Sequence, residues 1–65
     1  MALLLVEDDE STQRVVSGVL SRAGFAVETA GTLAAARELT AQRTFDVLLL
    51  DLKLPDGSGL DLLQE

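Results

Sequence analysis

Residues 45–57 read FDVLLLDLKLPDG, and this stretch decides the fold that the sequence predicts. The apolar run at residues 47–50 stops at the carboxylate Asp51, and a turn containing Pro55 and Gly57 follows. A continuous apolar run bounded by turn residues is typical of a strand buried on both faces of a parallel sheet. We therefore expect Asp51 where this strand leaves the core, which is the end of a strand where open α/β sheets bind ligands.

A second acidic strand end lies near the start of the chain. The apolar run at residues 3–6 stops at the acidic cluster EDDE, residues 7–10. If the two strands lie side by side and parallel, Glu7, Asp8 and Asp51 converge at one edge of the sheet. Like charges that a fold brings together need compensation, and a divalent cation with oxygen ligands is the commonest source of it.

Composition excludes several functional classes. The 65 residues are 48% hydrophobic, which is typical of a folded domain. Neither cysteine nor histidine occurs, so disulfides, thiolate metal sites and histidine general bases are excluded. The net charge of −6 argues against direct binding of nucleic acid. The apolar runs are too short for a membrane helix and no basic signal segment is seen, so we expect a cytoplasmic protein without membrane attachment.

The element order predicted along the chain is β-α-β-α-β-α, which indicates an α/β fold with a parallel sheet. A first helix, capped by Ser11 or Thr12, ends at Gly24. A short edge strand at residues 25–29 and a second helix capped by Thr32 follow. Right-handed crossovers give the strand order 2-1-3, with the first two helices on opposite faces and a site at the switch point between strands 1 and 3.

Apolar residues at helical spacing mark the inward faces of the predicted helices. These residues are Val15, Val16, Val19 and Leu20 in the first helix, Leu33, Ala35, Ala36 and Leu39 in the second, and Leu60, Leu62 and Leu63 in a third helix capped by Ser58.

Two segments at this spacing resemble a known family. LLVEDDE at residues 4–10 and LLLDLKLPDGSG at residues 48–59 are similar to the receiver domain of bacterial two-component response regulators. The resemblance covers the whole chain and implies a flavodoxin-like fold, with which the 2-1-3 order agrees. A complete receiver is roughly twice as long. Residues 1–65 are therefore expected to form a half domain, a receiver truncated before strands 4 and 5.

The resemblance implies a role for each acid. Asp51 corresponds to the phosphoaccepting aspartate, and Mg²⁺ would be held by Asp8, Asp51 and the main-chain carbonyl of Lys53. Glu7 would act through a bound water, and Asp9 is interpreted as a turn residue or first-turn helix acid without a metal role. A carboxylate attacking an anionic phosphoryl group needs its charge compensated, and the product is an aspartyl phosphate.

The function implied is phosphotransfer signalling, not enzymatic turnover. The resemblance implies a sensor histidine kinase as phosphodonor and an output domain or DNA-binding region as downstream partner. The Ser/Thr and Lys that contact the phosphoryl group in the family belong to the second half of a receiver. Lys53 cannot replace that Lys because it lies too near the acceptor. We therefore expect phosphotransfer by this chain to be impaired.

An alternative from another class stays open, namely a structural or interaction half-domain that self-associates through its third strand. A third strand without an outer neighbour would leave residues 47–50 as an apolar edge, for which a homodimer is the simplest closed assembly. Two other patterns fail. A haloacid dehalogenase requires Asp where Lys53 stands, and an EF-hand loop counted to Gly57 requires acids where Leu52 and Leu54 stand.

Overall fold

Three strands follow the apolar runs of the sequence and form one parallel sheet in the order β2-β1-β3. The computed structural model describes residues 1–50 together with Asp56 and Gly57. The strands are β1 Ala2–Val6, β2 Ala26–Ala30 and β3 Val47–Leu50. Residues 3–6 of β1 are all buried, because β1 is the central strand and both of its faces are covered. The predicted 2-1-3 order is confirmed.

The first helix, α1, covers Glu10–Arg22 and begins slightly earlier than predicted. Its N-cap is Asp9, so the prediction of a cap at Ser11 or Thr12 is wrong. The Asp9 carboxylate accepts from the Thr12 amide at 2.8 Å and from the Thr12 hydroxyl at 2.6 Å. Thr12 therefore serves as a donor inside the first turn, because the charged oxygen of Asp9 is the stronger acceptor.

The helix α1 is terminated by Gly24, the residue after its C-cap Ala23, as predicted. Gly24 has φ +101°, a left-handed conformation that glycine adopts without steric cost. The Gly24 amide donates to the Ser21 carbonyl and the Phe25 amide to the Leu20 carbonyl, each at 3.1 Å, which is the Schellman arrangement. Because this arrangement uses the Phe25 amide, β2 starts at Ala26, one residue later than predicted.

The second helix, α2, covers Leu33–Gln42 and is capped by Thr32, as predicted. The Thr32 hydroxyl accepts from the Ala35 amide at 3.1 Å. After the helix, Arg43 pairs with Glu28 of β2 at 2.9 Å, and both side chains are about half exposed. Such an exposed pair adds little to stability.

The hydrophobic core lies between α2 and the sheet. Its buried members are Leu4, Val6, Ala30, Leu33 and Ala36, with Ala35, Leu39, Phe45 and Leu50 packed against them. The inward face predicted for α2 is therefore confirmed. Successive side chains of a strand point to opposite faces, so Leu3 and Leu5 face away from α2 and toward the side of α1.

The α1 side is less well covered than the α2 side. Val16 and Leu20 are half-buried, whereas Val15 is 66% exposed and Val19 is 57% exposed. Only half of the apolar stripe predicted for α1 therefore faces the sheet. Neither α1 nor α2, the two helices in the described part of the chain, has the length and apolar character needed to cross a membrane.

Candidate functional site

The carboxyl ends of β1 and β3 lie side by side, which is the geometry on which the candidate site depends. The two strands are parallel, and Val6 of β1 lies opposite Leu50 of β3. Glu7 therefore follows β1 at the level where β3 ends. On the other side of β1, the Glu7 amide donates to the Ala30 carbonyl of β2 at 3.0 Å.

Glu7 is held in place from two sides. It is half-buried, and its carbonyl accepts from the side-chain amide of Gln13 in α1 at 3.0 Å. One of its carboxylate oxygens accepts from the Asp9 amide at 3.1 Å. The main chain at Glu7 is thus fixed by β2 and by α1, so the start of the acidic cluster is positioned by regular structure.

Asp8 and Asp9 differ in what their carboxylates do. Asp9 caps α1, and hydrogen bonds from the Thr12 hydroxyl and then the Thr12 amide hold the pKa of Asp9 below its ordinary value. Asp8 is exposed, and its carboxylate makes no hydrogen bond to another described residue. The carboxylate oxygens of Asp8 are therefore open to a ligand.

Two predicted site residues, Asp51 and Lys53, lie outside the described residues, as does the third helix predicted from Ser58. The described part of the chain brings together Glu7 and Asp8 and contains no group of three acids able to hold a metal ion. The predicted convergence with Asp51 therefore stays a prediction.

Asp56 is a further carboxylate near this edge, and no pattern in the sequence indicates a role for it. The two oxygens of Asp56 accept from the amides of Leu33 and Ala34, at 2.7 Å and 2.9 Å. These two amides, in that order, lower the pKa of Asp56, and the charge of Arg37 adds to the effect. The contact joins residues 23 apart in the sequence, so no local pattern signals it.

A family model described as the response regulator receiver domain matches residues 3–65. The chain belongs to this receiver-domain family. It is 45% identical to the "Probable transcriptional regulatory protein y4xI" of Sinorhizobium fredii, over 100% of this chain and 28% of that protein.

Solved receiver structures have the same fold. The non-phosphorylated HemR receiver domain of Leptospira biflexa superposes with a TM-score of 0.90 at 41% identity, over 97% of this chain and 51% of that chain. The MaeR response regulator bound to beryllium trifluoride superposes with a TM-score of 0.90 at 36% identity, over 98% of this chain and 54% of that chain. The chain thus spans about half of these receiver structures.

Membership of the receiver-domain family confirms the flavodoxin-like fold, and receiver domains of this family belong to two-component response regulators. Receiver domains generally bind Mg²⁺ at the phosphorylation site, and they work with sensor histidine kinases and output domains. They are not enzymes in the usual sense.

Proposed function

We propose that this receiver domain accepts a phosphoryl group on Asp51. The observation that carries the proposal is the register, in which Val6 and Leu50 lie opposite each other on neighbouring parallel strands. The acids that follow Val6 and the acid that follows Leu50 therefore leave the sheet at the same edge. Ligands of flavodoxin-like folds bind at this switch point.

The donor set in the described residues fits Mg²⁺. Mg²⁺ prefers hard oxygen ligands and is usually held by one or two carboxylates with several retained waters. Asp8 offers open carboxylate oxygens, and Glu7 lies beside it on a fixed main chain. We assign Asp8, Asp51 and the main-chain carbonyl of Lys53 as direct ligands, with Glu7 acting through a water. The ion, when bound, would compensate the negative charge that gathers on the phosphoryl oxygens.

The reaction moves one phosphoryl group. A carboxylate oxygen of Asp51 forms a bond to phosphorus while the bond from phosphorus to the donor's leaving group breaks, which gives a mixed anhydride. We propose a sensor histidine kinase as the donor, in the cytoplasm, and an output domain as the recipient of the signal. An output that acts on transcription would agree with the name of the Sinorhizobium fredii relative, a probable transcriptional regulatory protein.

The extent of the function depends on how much of a receiver is present. Residues 1–65 span 51% of the HemR receiver chain, and we propose that they form a truncated receiver domain, equivalent to half of a complete one. The Ser/Thr and Lys groups that contact the phosphoryl group in the family would belong to the other half. We therefore propose that the 65-residue chain alone binds Mg²⁺ but takes up phosphate poorly.

Magnesium binding provides the first test. At a Mg²⁺ concentration about ten times the dissociation constant, binding to the folded state alone should stabilise the chain by about 1.4 kcal/mol. This should raise Tm by several degrees in a thermal melt, and the rise should disappear in Asp8→Ala. Asp9→Asn is the matched control, because it removes a neighbouring charge and keeps a side chain that can cap α1. An equal Tm shift in Asp8→Ala would disprove the assigned ligand.

Phosphoryl uptake provides the second test. The chain is incubated with Mg²⁺ and a small phosphodonor such as acetyl phosphate, and intact mass reports the gain of one phosphoryl group. We expect slow labelling that Asp51→Asn abolishes and Asp46→Asn leaves unchanged, since Asp46 lies at the amino end of β3. Labelling that persists in Asp51→Asn would show that another acid is the acceptor.

A second candidate function is self-association through β3. Among the described strands β3 pairs with β1 alone, and its Leu48 and Leu49 are 38% and 39% exposed. An apolar strand with a free edge recruits a further strand. The two functions are compatible, because the edge of β3 and the carboxyl end of the sheet are different surfaces.

A further inference from the structure

The backbone amides in the first turn of α2 find hydrogen-bond acceptors in two different parts of the chain. The hydroxyl of Thr32, the N-cap, accepts from the Ala35 amide. The amides of Leu33 and Ala34 donate instead to the two oxygens of Asp56, at 2.7 Å and 2.9 Å. The local N-cap thus accepts a hydrogen bond from one of these three amides, and the carboxylate of Asp56, which follows β3 in the sequence, accepts from the other two.

The geometry and the charge of the Asp56 carboxylate both strengthen its hydrogen bonds to the amino end of α2. Each Asp56 oxygen has its own amide, so the carboxylate is held in one orientation. The amino end of a helix carries partial positive charge, and the charge of Arg37, one turn along α2, adds to the attraction. Hydrogen bonds from amides to an ionised acceptor are roughly twice as strong as bonds between neutral groups.

Asp56 follows closely after β3 and the two predicted site residues in the sequence. Residues 51–55 connect β3 to Asp56, and they carry both Asp51 and Lys53. At the near end, Leu50 is paired with Val6 in the sheet and packs against the core. At the far end, Asp56 is fastened to α2. The described residues on either side of this segment, Leu50 and Asp56, are therefore each bound to regular structure.

We infer that Asp56 is a positioning residue, which fastens the chain that follows the phosphoacceptor to the amino end of α2. Both of its carboxylate oxygens accept from amides of α2, so its effect on the site would pass through the main chain between Leu50 and itself. The consequence for Mg²⁺ rests on the proposed function, because it requires Asp51 and Lys53 to be ligands. The attachment itself does not require them.

The experiment compares Asp56→Ala with Thr32→Ala in the 65-residue chain. Both variants remove a cap from the same turn of α2, but only Asp56→Ala releases the chain after β3. Amide hydrogen exchange, resolved by residue, measures the attachment, and Mg²⁺ titration followed by Tm measures its consequence. Asp56→Asn retains one acceptor oxygen and should give an intermediate result.

We expect Asp56→Ala to speed exchange at residues 52–54 by about fivefold or more, and to weaken Mg²⁺ binding by a similar factor. Thr32→Ala should speed exchange in the first turn of α2 and leave the exchange at residues 52–54 and the Mg²⁺ affinity unchanged. If Thr32→Ala has the same effects as Asp56→Ala, or if exchange at residues 52–54 does not respond to Asp56→Ala, the inference is wrong. If the unmodified chain binds no Mg²⁺, the proposed function fails, and the exchange data still decide whether Asp56 fastens this segment.

Discussion

The four aspartates among the described residues have the same carboxylate group but different structural roles. Asp9 caps α1, Asp56 binds the amino end of α2, and Asp46 accepts from the amide of Ala2 at 2.8 Å where β1 begins. Asp8 alone keeps its carboxylate free of hydrogen bonds to the described residues. The difference lies in which amides are within reach, and this is what separates a structural acid from a candidate ligand.

The pH dependence of stability should report the cap at Asp9. Its pKa is lowered in the folded state, so its contribution is present above the unfolded value, about 3.9, and is lost as the pH falls through the folded value. Asp9→Asn keeps a capping side chain without the charge. We expect the parent chain to have the higher Tm at pH 7 and the difference to shrink to zero in acid.

Thermal melts of both proteins from pH 7 to pH 3 measure this difference. A difference between the parent chain and Asp9→Asn that stays constant over the whole range would contradict the assignment of the cap to an ionised carboxylate.

The elements of this fold were predictable where apolar runs and capping residues coincide. The bounds of β1 and β3, the cap at Thr32 and the inward face of α2 follow from such local signals. The start of α1 differs from the prediction because Asp9 and Thr12 can both cap a helix, and the hydrogen bonds from Thr12 to Asp9 decide between them. The signal was nevertheless present, since an aspartate directly before a helical run is a common N-cap.

Contacts between distant elements could not be predicted in the same way. Asp46 bonds to a residue 44 positions away and Asp56 to one 23 positions away. The Asp46 contact depends on the register between β1 and β3, and the Asp56 contact depends on where α2 begins relative to the end of β3; no single segment determines either one. At the candidate site, the acids at the strand ends are therefore recognisable in the sequence. The hydrogen bonds of Asp56 to α2 are visible only in the three-dimensional structure.

Gly18, inside α1, and Gly24, directly after its C-cap, should respond to substitution by alanine with stability changes of opposite sign. Gly18 lies inside α1, and an added Cβ would meet no atom within 4 Å, so Gly18→Ala should stabilise the chain by about 0.5–1 kcal/mol through helix propensity. Gly24 has φ +101°, which an L-residue rarely adopts. Gly24→Ala should therefore destabilise the chain by about 1–2 kcal/mol.

Urea unfolding followed by circular dichroism measures both glycine variants. Because they carry the same chemical change, each serves as the control for the other. Stabilisation by Gly24→Ala would mean that α1 does not end in the left-handed turn described here.

At the scale of the whole molecule, the two faces of the sheet are unequally covered. α2 closes a core over β1 and β2, whereas α1 leaves Val15 and Val19 mostly exposed, and β3 exposes Leu48 and Leu49. A domain of this size buries only roughly 60% of its unfolded surface and is marginal on its own. Added apolar burial through a second chain would therefore have a large effect on its stability.

We predict that the 65-residue chain associates through β3. Two β3 strands related by a twofold axis run antiparallel, and pairing them extends the sheet to 2-1-3-3′-1′-2′. Size-exclusion chromatography with light scattering at micromolar concentration should show a dimer or a larger assembly. Leu49→Lys should dissociate it, because the charge would be forced into the new apolar contact.

Val15→Lys is the matched control for this prediction. It places the same charge at a side chain that is also exposed, but on α1 and away from the strand edge. We expect Val15→Lys to leave the assembly intact. If the unmodified chain is a well-folded monomer at this concentration, the β3 edge does not recruit a second chain. If Val15→Lys dissociates the assembly while Leu49→Lys does not, the contact is made by α1, since a charge prevents association only where the chains meet.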